Sequence, residues 1–123
     1  MSKEDFVTFG QAFRLKELGF DWECNHWYHY LEPDKIIECQ TYCNHNSFER
    51  PYSAPTLYQT QKWLREKGLI INIHYDPVYY YGDIYNEGKS DFEYFITENF
   101  ETYESVLSVM IDKALEILKE ENK

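Results

Sequence analysis

A chain of 123 residues carrying 22 acidic and 12 basic side chains, net −10, is long enough for one domain-sized core. It is too acidic for the phosphate-neutralising surface that ordinary nucleic-acid binding needs, and no apolar run approaches the ~18 residues of a membrane span. Hydrophobic residues make up 43% and charged residues 28%, which sets disorder aside apart from the ends, while 19% aromatic residues, 12 of them Tyr, is the departure from the ordinary.

The first helix is announced by its ends. Thr8 and Gln11 have the T-x-x-Q spacing of a capping box, Gly19 supplies a left-handed stop, and Phe20 is placed to fold back on the last turn. The period then changes to two over residues 25–31 and 36–43, which flank Glu32-Pro33-Asp34-Lys35, a sequence suited to a type I turn. Residues 44–55, NHNSFERPYSAP, have no period and two prolines, and read as a loop. A second helix opens at Thr56 with Gln59 and stops at Gly68-Leu69; its caps match those of the first, yet the segments that follow do not align, so no internal repeat is implied. Strands are expected at 69–75, 79–85 and 92–97, with turns at Asp76-Pro77 and around residues 86–90. From about Tyr103 to Leu118 the apolar residues Val106, Leu107, Met110, Ile111, Ala114, Leu115 and Leu118 recur at helical steps and form one wide stripe that must cover a core. The order α-β-β-α-β-β-β-α predicts a single α+β domain over residues 1–123. It is a two-layer sandwich in which a mostly antiparallel sheet carries helices on one face.

The run YSAPTLYQTQKWLREKGLIINIHYD (52–76), a Tyr-rich strand pair, and YESVLSVMIDKALEIL (103–118) resemble a family of small uncharacterised proteins of gut Bacteroidales and their phages. The matching elements are Ala54-Pro55-Thr56, Trp63-Leu64-Arg65-Glu66, Ile71-Asn72-Ile73 and Tyr103-Glu104. They are caps and core positions, so the resemblance implies a fold and a phage or mobile-element setting, with no assigned activity.

The triplet Cys-Asn-His occurs twice, at residues 24–26 and 43–45. If the hairpin turns about Pro33-Asp34, Leu31 faces Ile36, His29 faces Glu38 and Cys24 faces Cys43, so Cys24, His26, Cys43 and His45 share one side. That is a Cys2His2 set. However, His26 lies beyond the cysteines in one direction and His45 in the other, strung along a ribbon, and Cys39 is left on the opposite face. Reduced thiols are the favoured reading, with bound metal, thiol-redox chemistry or a Cys24–Cys43 disulfide as alternatives. No Gly-rich phosphate loop, GxSxG or HExxH is present, and an odd cysteine count without an export signal fits a cytoplasmic protein. Neither an enzyme nor a cofactor is expected.

The alternation of the later strands points elsewhere. Ile71 and Ile73 are natural inward residues, leaving Asn72 and His74 outward; Asp83 carries Tyr79, Tyr81 and Tyr85 out with it, while Tyr80 and Ile84 turn in. Glu93 likewise carries Phe95 and Thr97 outward. One surface thus collects His74, Tyr79, Tyr81, Asp83, Tyr85 and Phe95, the composition of a contact face for an unknown protein partner or a second copy. A remaining reading is an acidic decoy of nucleic acid, since residues 83–104 hold seven acids against one Lys.

Overall fold

The computed structural model describes residues 2–87 and 99–121. They form an α+β structure with entirely antiparallel pairing, and the chain falls into two compact units, Met1–Thr56 and Leu57–Lys123. The described strands make two small sheets instead of one.

In the first unit a short 3-10 turn precedes helix α1, Phe9–Glu17, followed by strands β1, Cys24–Tyr28, β2, Ile36–Cys43, and β3, Tyr52–Ser53, in the order β2-β1-β3. The Thr8 hydroxyl accepts from the Gln11 amide at 3.2 Å and the Gln11 side chain accepts from the Thr8 amide at 2.9 Å, so the capping box is closed in both directions. At the other end Gly19 has φ 89°, and the amides of Gly19 and Phe20 donate to the carbonyls of Lys16 and Leu15, the double bond of a Schellman stop. Phe20 is buried with Ala12 and Leu15.

The hairpin register differs from the expected one. Cys24 does face Cys43, but His26 faces Glu38 and Tyr28 faces Ile36, with an irregularity between Cys24 and His26. The pairings of His29 with Glu38 and of Leu31 with Ile36 do not form. The physical reason is local: the His29 ring accepts from the Leu31 amide and the His29 carbonyl accepts from the Glu32 amide. These bonds draw residues 29–35 out of the ladder as a longer loop.

Residues 44–55 also depart from the expected plain loop, because they hold a 3-10 turn, His45–Ser47, and β3, which takes the free edge of β1. Side chains fix this segment. Asn46 accepts from the Ser53 amide at 2.8 Å and donates to the Phe20 carbonyl at 3.0 Å. The Lys16 ammonium donates to the carbonyls of Phe48, Glu49 and Pro51 at 2.6, 2.8 and 2.9 Å and lies 5.2 Å above the Tyr52 ring.

Tyr28, 1% exposed, donates to the Val7 carbonyl at 2.7 Å, and burial pushes its hydroxyl up to about 12. An unfolded tyrosine ionises near ~10, so the neutral side chain favours the fold fully below that pH. As pH rises from ~10 toward 12 the unfolded state loses its proton first, and roughly 2–3 kcal/mol of stability goes with it. Tyr28→Phe should cost about 1 kcal/mol at neutral pH and should soften this alkaline loss. Urea midpoints of wild type and variant across that range measure both effects; parallel alkaline curves would refute the assignment.

The second unit runs α2, Leu57–Glu66, β4, Leu69–Tyr75, β5, Tyr80–Asn86, and α3, Tyr103–Glu121. Gly68, φ 91°, ends α2, and the Thr102 hydroxyl caps α3 by accepting from the Ser105 amide at 3.1 Å. All seven stripe residues of α3 are buried. The β4–β5 register sets Leu69, Ile71 and Ile73 against Asn86, Ile84 and Gly82 on the face that α2 and α3 cover. A Cβ on Gly82 would stand 2.8 Å from Met110 Cγ, so glycine here lets α3 sit directly on the sheet. The strand expected at 92–97, with Glu93, Phe95 and Thr97, lies outside the described residues. Phe100 and Tyr80 exchange both backbone bonds at 2.8 Å, an isolated bridge on the outer edge of β5.

Candidate contact surface and thiol cluster

The outward row of β4–β5 contains Ile70, Asn72 and His74 opposite Tyr85, Asp83 and Tyr81. Asp83 is the centre of this face: one carboxylate oxygen accepts from His74 Nε2 at 2.9 Å, the other from the Asn72 amide group at 2.9 Å. The bond fixes the proton of a neutral His74 on Nε2. Tyr81 stacks on the same ring, centroids 4.9 Å apart and planes 24° from parallel. His74, Tyr81 and Asp83 are therefore one interlocked group, with Tyr85 half-buried beside it.

Tyr79 sits in the turn before β5, where its backbone exchanges both bonds with Asp76. Phe95 lies outside the described residues. The hairpin tip adds residues that alternation alone did not single out: Tyr75 is 63% exposed and Val78 66%, next to exposed Tyr79. From Tyr75 a chain of ring contacts continues to Tyr80 at 4.8 Å, Tyr103 at 6.0 Å and Tyr58 at 6.2 Å, where the Tyr58 hydroxyl donates to Glu104. Tyr75 belongs by register to the helix-covered row, but its exposure shows that the row extends past that cover. The available signal was the length of β4, seven residues, against the cover that α2 and α3 provide.

The second group of sequence candidates lies in the first unit. Cys24 and Cys43 are opposite each other. The Cys24 thiol donates to the His26 carbonyl at 3.4 Å; burial pushes it up, opposed by the Ser53 hydroxyl and by backbone bonds to His26 and Ala54. His45 is 5% exposed and its Nε2 donates to the Cys24 carbonyl at 2.9 Å, while both ring nitrogens stand 3.5 Å from Cys43 Sγ. A sulfur equally distant from both nitrogens lies over the ring between them. Burial also holds the His45 pKa below its ordinary value.

His26 is engaged differently. Its Nδ1 donates to the Asn25 side chain at 2.7 Å, its Nε2 is 3.5 Å from Glu38, and its ring lies 4.3 Å from that of Phe6. Cys24, His26, Cys43 and His45 thus divide into a thiol pair with one histidine and a second histidine bound elsewhere. Among the described residues, no group of three or more His, Cys, Asp or Glu side chains is arranged to hold a metal ion. No described helix is long and apolar enough to cross a membrane. No family model, curated protein or solved structure matches this chain.

Proposed function

We propose that the protein acts without catalysis, by binding another protein or a second copy of itself through the β4–β5 hairpin. The observation that supports this reading most directly is the exposed tip of the hairpin, Tyr75, Val78 and Tyr79, next in the chain to the outward group in which Asp83 holds His74 and Tyr81 stacks. Tyrosine supplies large, fairly rigid contact area at low entropic cost, and a pre-ordered face loses little further freedom on binding. The phage or mobile-element setting rests on the resemblance carried by the APT, WLRE, I-x-I and YE elements. Three free thiols fit a cytoplasmic location.

Tyr81→Ser and Val78→Asp remove parts of this surface without touching a buried residue. Each should lower stability by no more than about 1 kcal/mol and should weaken self-association, or retention of a captured host protein, by at least tenfold. Sedimentation at several concentrations reads the first, and pull-down with wild type and variants side by side reads the second. Wild type that stays monomeric, with host capture indifferent to both variants, would refute the reading.

A further inference from the structure

The contact surface leaves the thiol cluster of the first unit without a role. Its geometry suits thiol–disulfide exchange. Directly opposed residues of an antiparallel pair put their side chains on one face with Cα atoms about 4.5–5.5 Å apart. A disulfide spans about 4.4–6.8 Å. Cys24 and Cys43 are such a pair, both are free thiols, and the ladder is irregular between Cys24 and His26, so the backbone beside Cys24 is not held in a continuous register. The two thiols are also unlike. Cys24 is 3% exposed, whereas Cys43 is only half-buried.

His45 supplies the remaining part. Its Nε2–H is committed to the Cys24 carbonyl at 2.9 Å, so Nδ1, 3.5 Å from the Cys43 sulfur above the ring, carries its lone pair in the ring plane. The imidazole is buried, fixed in one tautomer, and placed against the more accessible thiol. Because the sulfur lies over the ring and the Nδ1 lone pair lies in its plane, the Cys43 side chain must turn off the ring face before S–H meets Nδ1.

We propose that Cys24 and Cys43 form a reversible redox site that takes a low-molecular-weight disulfide, such as glutathione disulfide, as its oxidant, with Cys43 the attacking thiol and His45 its proton acceptor. In the first step His45 Nδ1 takes the Cys43 proton and the thiolate attacks one sulfur of the oxidant. A Cys43–glutathione bond forms, the oxidant's S–S bond breaks, and the departing thiolate recovers the proton from His45. In the second step Cys24 attacks the Cys43 sulfur, its own proton passing to the second departing glutathione. Two protein thiols are oxidised to one disulfide, and one glutathione disulfide is reduced to two thiols. The bond closes the β1–β2 hairpin covalently, so the oxidised protein melts at a higher temperature than the reduced one.

The test uses the full-length protein in native buffer with glutathione disulfide as the probe. Non-reducing peptide mapping should show loss of two hydrogens, a Cys24–Cys43 link, and Cys39 free. Cys24→Ala should stop at a stable glutathione adduct on Cys43, and Cys43→Ala should give no adduct at Cys24. His45→Gln should slow the first step at least about tenfold, while Cys39→Ser should react at the wild-type rate. Thiols that react only in urea, a link through Cys39, or a His45→Gln rate equal to wild type would overturn the proposal. None of these outcomes bears on the hairpin surface, so the two readings fail separately.

Discussion

Ile111→Asp should abolish cooperative thermal unfolding of the α2–β4–β5–α3 unit. Ile111 is 0% exposed on the α3 stripe, flanked by buried Leu107, Met110, Ala114 and Leu115. Truncating such a side chain alone costs about 2–5 kcal/mol. A carboxylate there adds an unpaired charge without solvent, worth several kcal/mol more even after it takes up a proton. The sum is comparable with the total stability of a small protein, about 5–15 kcal/mol. Lys113→Asp, on the exposed face two residues along, is the control and should change stability by no more than about 0.5 kcal/mol. Near-ultraviolet circular dichroism during heating distinguishes the two. A cooperative, native-like Ile111→Asp protein would mean that the stripe does not face the sheet.

Gly82→Val should destabilise the same unit by about 2–3 kcal/mol through overpacking. Valine suits a strand, so propensity alone predicts a gain. Space decides otherwise: the new Cβ would stand 2.8 Å from Met110 Cγ and 3.2 Å from both Met110 Sδ and the Asn72 carbonyl oxygen. Met110 is buried and has little room to retreat. Trimming it separates this cause from any backbone effect. Met110→Ala alone should cost about 2–5 kcal/mol as a cavity, and the double variant should cost clearly less than the two single changes added together. Additive losses in urea titrations would place the strain elsewhere.

Both predictions use residues whose roles were partly written in the sequence. The α3 stripe was legible because seven apolar residues at helical spacing admit one buried face. Gly19 and Gly68 were legible as stops for a similar reason, since a left-handed residue ending a helix is most readily glycine. Gly82 was not, because a glycine that makes room for Met110 depends on a helix far along the chain. The face of β4–β5 could be read from alternation, and His74, Tyr81 and Asp83 do lie together. Their interlock could not, since alternation fixes a side of the sheet and not which rings touch. In the first hairpin the Cys24–Cys43 pairing could be reached from the turn position, but the bonds of His29 and the irregularity beside His26 moved the rest of the ladder. β3 carried no period at all: two residues held by Asn46 and Lys16 are too short to show one.

The ammonium of Lys16 has a consequence for how the first unit comes apart. Three carbonyls, those of Phe48, Glu49 and Pro51, converge on one nitrogen, as oxygen ligands converge on a metal ion. Bonds that share a donor atom do not fray one at a time. Lys16 stands in the last turn of α1, and the segment it gathers leads into Tyr52, whose ring packs edge-on to Phe9 and Phe13 of that same helix. Unwinding the end of α1 therefore loosens residues 48–51, and lifting Tyr52 strips the helix of aromatic cover. Two stretches more than thirty positions apart in the chain are thereby tied together, so opening either one should weaken the hold on the other. Local opening of this corner should therefore cost the bonds of a helix terminus as well as those of a loop.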